Sequence, residues 1–259
     1  MEARGVFADI SSSIEMSVIE LRDVWKRFGR AEVLSGVSWS VREGELVALM
    51  GINGAGKTTI LRILAGLVGA ERGKVLVDGK LLTRDEVELR RQFYFLGDEP
   101  ALFPEHSPIV NLGIMAKLWK IERSDYEEVA AEWMERFGIL HLRENRVSTL
   151  SRGQRYKVAL VILAALRPPI WLLDEPFASG MDAQGLRTLR QLIREALKNE
   201  VAVVFSTQLI EMVRGFASRV TVVQGGVVLH DSSVTELEEQ DRSGHPYLSL
   251  LMDTEEEIV

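Results

Sequence analysis

Blocks of consecutive apolar residues alternate with helical patterns along most of the chain. Residues 46–50, 170–173 and 201–205 contain no polar position, which is typical of strands that are covered on both faces. Helical patterns at 57–67 and 186–197 follow two of these blocks. The alternation predicts an α/β fold whose core is a mainly parallel sheet.

The two ends of this alternating region have a different pattern. Residues 18–28 and 33–41 are rich in β-branched and aromatic side chains, and the second segment alternates apolar residues with serine. Both segments are predicted to be half-buried antiparallel strands. Near the other end, residues 220–223 and 227–229 flank Gln-Gly-Gly, which predicts a hairpin. An antiparallel layer therefore precedes the parallel core.

The remaining segments set the expected domain organisation. Residues 104–148 read as mostly helical, and we expect an inserted helical lobe over about 100–165. The main domain is expected to span 18–235. Residues 1–17 are predicted to be a flexible N-terminal extension, and residues 236–259 form an acid-rich C-terminal tail.

Composition narrows the function classes. The 259 residues are 46% hydrophobic and carry a formal net charge of −7, which fits a globular domain and argues against a nucleic-acid partner. Cysteine is absent, so disulfides, Cys-ligated zinc and a Cys nucleophile are excluded. The longest apolar run, 158–166, ends at Arg167 and is too short to cross a bilayer.

A phosphate-binding loop follows the first buried strand. Residues 51–59 fit the pattern G-x-x-x-x-G-K-[ST] between a strand and a helix. Glycines let backbone N–H groups turn onto phosphate oxygens, and the helix N-terminus attracts the same anion. The predicted nucleotide contacts are Gly51, Asn53, Gly54, Ala55, Gly56, Lys57, Thr58 and Thr59.

Two acids end the apolar block at 170–173. Asp174 and Glu175 would lie at the carboxyl end of a parallel strand, where ligands bind in α/β folds. Thr58 and Asp174 are predicted to hold Mg²⁺, and Glu175 is predicted to orient an attacking water.

The order of three elements resembles a known family. The phosphate loop, the segment Leu-Ser-Arg-Gly-Gln at 150–154 and the pair Asp174-Glu175 are together similar to the nucleotide-binding subunit of ABC transporters, over residues 18–229. The resemblance implies a P-loop NTPase fold and an ATPase that binds ATP and Mg²⁺ in a head-to-tail dimer. In such a dimer, Ser151, Gly153 and Gln154 would complete the nucleotide site of the opposite subunit.

The same resemblance implies further contacts. Phe28 matches the aromatic residue that stacks on adenine, and Asp182 matches the acid of a loop at the dimer interface. The edge of the helical lobe near 99–108 would face an integral membrane permease subunit. The other partner would be a second ATPase subunit, identical or related. The chain would then be a cytoplasmic protein on the inner face of the membrane.

Three positions depart from the family pattern. Asp98 stands where the family has a Gln that contacts metal and water, with Glu99 as the alternative if the register differs by one. Gln208 replaces a His that touches the γ-phosphate, and Arg152 replaces a Gly. Asp98 would bind the metal more directly, but Gln208 cannot carry a charge or shuttle a proton as His does. We therefore expect hydrolysis that is slower than in the His-containing relatives.

Two alternatives stay open. Single-cassette ABC ATPases also act in iron–sulfur assembly without a transporter, and the altered switch residues also suit a regulatory clamp that holds ATP. The presence of Glu175 argues against a clamp. Residues 174–185 bear a weak likeness to the subunit of haem-export systems, which identifies no substrate.

Overall fold

The structure, a computed structural model, describes residues 19–242, whose strands form two sheets. The antiparallel sheet has the strand order β2-β1-β4-β5, and the second sheet has the order β10-β9-β3-β8-β7-β6. The strands are β1 (Ile19–Phe28), β2 (Ala31–Val41), β3 (Leu46–Met50), β4 (Arg72–Val77), β5 (Lys80–Leu81), β6 (Phe93–Leu96), β7 (Ile170–Leu173), β8 (Ala202–Thr207), β9 (Arg219–Gln224) and β10 (Val227–Ser233).

Eight α-helices connect or cover these strands within residues 19–242. They are α1 (Lys57–Leu64), α2 (Val87–Arg90), α3 (Pro108–Trp119), α4 (Arg123–Arg136), α5 (Arg152–Leu166), α6 (Ala183–Leu197), α7 (Ile210–Arg214) and α8 (Val234–Arg242). Strands β3, β6, β7, β8 and β9 run parallel, and β10 closes the sheet as an antiparallel hairpin with β9. The predicted α/β class, with a parallel core and an N-terminal antiparallel layer, is confirmed.

Strand β3 separates two hydrophobic cores. Because side chains alternate between the faces of a strand, Leu46, Ala48 and Met50 pack into a core shared with the helices. Val47 and Leu49 pack into a second core between the two sheets, around α1. All five side chains are buried, which explains why this strand has no polar position.

Helix α5 is buried along nearly its whole length. Twelve of its fifteen residues are buried, because α3 and α4 cover one side of it and the parallel sheet covers the other. The helices predicted between 100 and 165 are therefore present. The limits of a separate lobe stay a prediction.

Two predicted boundaries differ from the structure. The helix expected to run to residue 67 ends at Leu64, because Gly66 adopts a positive φ of 65° that stops the helix. The sequence predicts an acidic tail from residue 236, but α8 begins at Val234 and extends to Arg242. Val234 and Leu237 are buried in the core, so the start of this segment is packed helix. The predicted extension at 1–17 and the rest of the tail lie outside the described residues.

Across residues 19–242, the longest and most apolar helices fall short of what crossing a bilayer requires.

Candidate functional site

Three loops converge at the carboxyl ends of adjacent parallel strands. Strand β8 pairs with β3 on one side and with β7 on the other. The segments that follow these strands are the phosphate loop, the pair Asp174-Glu175 and Gln208. The topology therefore brings together residues that are far apart in the sequence.

The phosphate loop depends on glycine at positions where a side chain has no room. Gly51 has a φ of 158°, and a Cβ there would lie 2.3 Å from the carbonyl oxygen of Val223. Gly56 has a φ of 111°, and its Cβ would lie 2.8 Å from Leu34. The hairpin of β9 and β10 also holds this loop, since Gly226 N–H donates to the carbonyl oxygen of Ala55 at 3.2 Å. Thus β9 and β10 pack against the phosphate loop and support its conformation.

The other loop residues differ in exposure. Asn53 and Gly54 are exposed at the tip, and Ala55 is buried. Thr58 and Thr59 are half-buried in the first turn of α1. The helix therefore presents its free N–H groups to the space in front of the loop.

Lys57 is a buried cation in this loop. Its ammonium donates to the carbonyl oxygens of Gly51 at 2.6 Å and Ile52 at 3.1 Å. Its Nζ also lies 3.7 Å from Oε1 of Glu175. Burial lowers the pKa of Lys57, and the neighbouring charges of Glu175 and Asp174 act in the opposite sense. Lys57 thus places a poorly hydrated positive charge at the loop.

Asp174 is held by two hydroxyl groups. Its Oδ1 accepts from the hydroxyl of Thr58 at 3.0 Å and from that of Ser206 at 2.6 Å. This set of a hydroxyl oxygen and a carboxylate oxygen beside a phosphate loop suits Mg²⁺, which prefers oxygen ligands and keeps several waters. Thr58 and Asp174 therefore fit the predicted metal role, although residues 19–242 hold no cluster of three or more acidic or imidazole ligands.

Glu175 sits in an unusual backbone conformation. Its φ is 47°, in the left-handed region that non-glycine residues rarely adopt, and its N–H donates to the Ser206 hydroxyl at 2.8 Å. Burial raises the pKa of Glu175, Lys57 counteracts this effect, and the charges of Asp174 and Asp98 add to the increase. A raised pKa makes the carboxylate a better proton acceptor near neutral pH.

Ser151 caps helix α5 as predicted from its position. Its hydroxyl accepts from Gln154 N–H at 3.2 Å, and the Gln154 side chain accepts from Ser151 N–H at 2.9 Å. Gly153 contacts the next loop, since a Cβ there would lie 2.4 Å from the carbonyl oxygen of Gly180. In the described part of the chain, no hydrogen bond or ion pair joins Ser151, Gly153 or Gln154 to the phosphate loop.

Asp182 caps helix α6 and forms an ion pair. Its carboxylate accepts from Gly185 N–H at 2.7 Å and lies 3.0 Å from Nζ of Lys157. The backbone hydrogen bond from Gly185 and the hydrogen bond from Lys157 lower the pKa of Asp182. A Cβ at Gly185 would lie 2.7 Å from Cε of Lys157, so a side chain there would displace the end of the lysine.

Two of the predicted switch residues have distinct surroundings. Asp98 forms an ion pair with Arg152 at the first residue of α5. Gln208 is exposed and follows directly after Thr207, the last residue of β8. Because β7 and β8 are parallel neighbours, Gln208 after β8 lies at the same edge of the sheet as Glu175 after β7.

Phe28 is half-exposed at the end of β1. The ammonium of Lys26 lies 5.1 Å from the centre of its ring. An exposed aromatic ring of this kind has a free face on which a base can stack.

Three further residues of this region belong to none of the motifs in the sequence. Ser206 donates its hydroxyl to the Asp174 carboxylate and accepts from the backbone N–H of Glu175. Its only signal in the sequence is a hydroxyl residue, followed by Thr207, at the end of an apolar strand. Lys157 and Tyr156 are buried on α5. The Tyr156 hydroxyl has no hydrogen-bond partner among the described residues, and burial together with the charge of Asp174 raises its pKa. Neither residue has a local sequence signal.

Comparisons with known proteins agree with this geometry. A family model described as "ABC transporter" matches residues 34–178. The chain is 30% identical over 219 residues to an ABC transporter ATP-binding protein of Methanocaldococcus jannaschii, which covers 85% of this chain and 79% of that protein. It is similar to the solved structure of an ATP-binding subunit of an ABC transporter, with 25% identity, a TM-score of 0.84, and coverage of 92% of this chain and 98% of that one.

A second solved structure bears on nucleotide chemistry. It is a dimeric ATP-binding cassette in a post-hydrolysis state, bound to ADP and Pi. The identity is 25% and the TM-score 0.75, over 83% of this chain and 98% of that one.

Proposed function

Since the chain belongs to the ABC transporter family, as an ATP-binding subunit with ATPase activity, we propose that it drives transport through a separate membrane subunit. Two copies, or this chain and a related one, would close head-to-tail on two ATP molecules. The observation that carries the proposal is the convergence of Lys57, Thr58, Asp174 and Glu175 at one edge of the parallel sheet.

The proposed chemistry assigns a role to each of these groups. Backbone N–H groups of the phosphate loop and the Lys57 ammonium bind the phosphates. Thr58 and Asp174 hold Mg²⁺, which when bound neutralises charge on the outer phosphate oxygens. Glu175 orients a water for in-line attack and accepts its proton, helped by its raised pKa. Phe28 stacks on the base.

The partner subunit completes the site. Ser151, Gly153 and Gln154 of one copy would contact the nucleotide of the other, because the capped N-terminus of α5 offers free N–H groups. Asp182 would lie at the same interface. Gln208 contacts the γ-phosphate through its amide. Asp98 is proposed as a third group that binds Mg²⁺, in addition to Thr58 and Asp174. Slower hydrolysis than in relatives with a His at the Gln208 position is part of this proposal.

A groove in the helical region is the proposed contact with the membrane subunit. An apolar cavity of about 340 Å³ lies between α3 and α4, lined in part by Ile109, Val110 and Met134. Val110 in this lining is exposed, and so is Phe103 within the predicted edge at 99–108. Exposed apolar surface of this kind is typical of interaction sites. Docking there would hold the chain at the inner face of the membrane.

Steady-state hydrolysis of Mg-ATP by the purified full-length chain tests the proposed chemistry. Glu175→Gln should lower turnover by about 10²-fold or more while ATP binding persists. Glu132→Gln, the same change at a carboxylate paired with Arg136 on α4, is the matched control and should retain turnover. Equal turnover in the wild-type and Glu175→Gln chains would contradict the role of Glu175.

Membrane fractionation of cells that express the chain tests the proposed partner. Val110→Asp should lower the membrane-bound fraction. Leu118→Asp changes another exposed position on α3, one that does not line the groove, and should leave that fraction unchanged. Equal loss in both variants would argue against docking at this groove.

A further inference from the structure

Two positions that depart from the family pattern contact each other. The guanidinium of Arg152 forms an ion pair with the carboxylate of Asp98. Asp98 belongs to the loop that leaves strand β6, and Arg152 is the first residue of α5. The pair therefore joins a loop of the nucleotide edge to the segment 150–154.

Electrostatics at the start of α5 explains why the two residues belong together. The N-terminus of a helix carries a partial positive charge, which disfavours a cation and favours an anion there. Arg152 is a cation at this end, and Asp98 supplies the anion that compensates for it. In the single chain, the carboxylate of Asp98 thus neutralises a cation at the helix end where a phosphate is favoured.

Asp98 also acts electrostatically on the reacting region. Its charge contributes, after burial and the nearer charges, to the raised pKa of Glu175. Side chains of Asp98 and Arg152 are 55% and 48% exposed, so water can solvate either partner when the pair opens. An exposed pair of this kind is weak and can exchange partners during a functional cycle.

We propose that Asp98 and Arg152 form an intrachain latch that competes with dimer closure on ATP. In the single chain, the two side chains neutralise each other. When a second copy closes, Arg152 turns to the phosphates of the nucleotide on that copy, and Asp98 is released. This inference rests on the proposed function, because it requires segment 150–154 to face the nucleotide of the opposite subunit.

The latch predicts a specific coupling between the two residues. Asp98→Asn removes the competitor, so less ATP should be needed for dimer formation. Arg152→Gln removes the phosphate contact, so more ATP should be needed. Once Arg152 is neutral, Asp98 has no cation to release, so Asp98→Asn should no longer lower the ATP requirement. Loss of its proposed place beside the metal would raise that requirement instead. Arg152→Lys keeps the charge and should restore the effect of Asp98→Asn.

Sedimentation velocity of the full-length chain carrying Glu175→Gln measures these effects. ATP is titrated, and the concentration at half-maximal dimer is compared between variants. We expect Asp98→Asn to lower this concentration about two- to fivefold, the range for an exposed ion pair. Glu132→Gln opens another partly exposed Arg–Glu pair, on α4, and should leave it unchanged.

Each outcome has a defined meaning. An unchanged midpoint in Asp98→Asn, or an equal shift with and without Arg152→Gln, would overturn the latch while leaving the ATPase assignment intact. Failure of every variant to dimerise, Asp98→Asn included, although ATP binds, would overturn both the latch and the head-to-tail dimer. Failure to bind ATP at all would instead contradict the proposed nucleotide site.

Discussion

Lys157 binds both carboxylate oxygens of Asp182, with Nζ 3.0 Å from Oδ1 and 3.1 Å from Oδ2. The two side chains are unequally exposed, 9% for Lys157 and 66% for Asp182. The buried lysine therefore depends on its partner, whereas water can solvate the aspartate. The pair joins α5 to the loop before α6, and both segments face the proposed dimer interface.

This asymmetry predicts that removing Asp182 lowers the stability of the fold more than removing the charge of Lys157. Asp182→Ala loses the cap of α6 and leaves a buried ammonium without its carboxylate, so we expect a loss of about 2–4 kcal/mol of stability. Lys157→Met keeps the apolar stem and the cap, and should cost about 1 kcal/mol or less. Urea unfolding of the two variants checks the order. The double variant should be more stable than Asp182→Ala alone, and the reverse result would contradict this account.

Glu175 is predicted to destabilise the nucleotide-free chain at neutral pH. Its pKa is raised by burial, so the folded chain binds the proton more tightly than the unfolded chain. Stability then falls as the pH rises through the window that begins at the ordinary value of 4.5 and ends at the raised value. Glu175→Gln should therefore melt at a higher temperature than the wild type at pH 7.5. This difference in melting temperature should disappear as the pH is lowered towards 4.5.

The control for this pH effect is Glu127, whose pKa is shifted in the opposite direction. A hydrogen bond from Arg123 lowers the pKa of Glu127, so its carboxylate is favoured in the folded state. Glu127→Gln should give no gain at pH 7.5. If the melting temperatures of Glu175→Gln and the wild type differed equally at every pH, the cause would be side-chain packing and not the charge of Glu175.

Gln208 is predicted to limit the rate of hydrolysis. A His at this position can become cationic and can transfer a proton, which a glutamine amide cannot. Gln208→His should raise the turnover of Mg-ATP by about tenfold or more, since positioned proton transfer contributes about 10²–10⁴-fold. Gln208→Ala is the control and should not raise it. Unchanged turnover in Gln208→His would contradict the prediction.

The glycines of the phosphate loop are predicted to differ in their tolerance of alanine. At Gly51, the Cβ would lie 2.3 Å from a backbone oxygen of β9, whereas nothing lies within 4 Å of the corresponding position at Gly54. Gly54 has a φ of 81°, so Gly54→Ala should cost about 1–2 kcal/mol through backbone strain alone. Gly51→Ala should cost clearly more, because the strand or the loop must move. Denaturant unfolding of the nucleotide-free chain measures the free energy of unfolding of the two variants.

Phe28 is predicted to contribute to affinity but not to stability. Its half-exposed ring buries little on folding, whereas stacking on a base is worth about 0.5–1.5 kcal/mol. Phe28→Ala should therefore weaken ATP binding about two- to tenfold, with an unchanged midpoint of unfolding. Leu81→Ala, at another half-exposed apolar position, should leave ATP binding unchanged. Equal ATP affinity of Phe28→Ala and the wild type would exclude the stacking contact.

Local sequence patterns were sufficient for the core of the fold. Strands β3 and β7 are apolar at every position, because both of their faces are covered, and such blocks are visible without a structure. The phosphate loop is also local, since its backbone conformation is determined by glycines within a few positions. The cap formed by Ser151 and Gln154 follows from a spacing of three residues.

Contacts across the fold could not be predicted in this way. Lys157 and Arg152 lie on one helix, but their acidic partners come from two different loops. A charged residue in a sequence does not indicate which distant charge it will meet. The start of α8 is likewise not visible in the sequence, because Val234 and Leu237, which pack into the core, lie in an acidic segment.

The hairpin behind the phosphate loop has a consequence for how the protein is made. The loop emerges early from the ribosome, but Gly226 and Val223, which contact it, are translated near the end of the described chain. The phosphate loop can therefore make these supporting contacts only after β9 and β10 have been synthesised. A nascent chain that stops short of this hairpin should not bind nucleotide firmly, so that ATP binding requires the hairpin to have been synthesised.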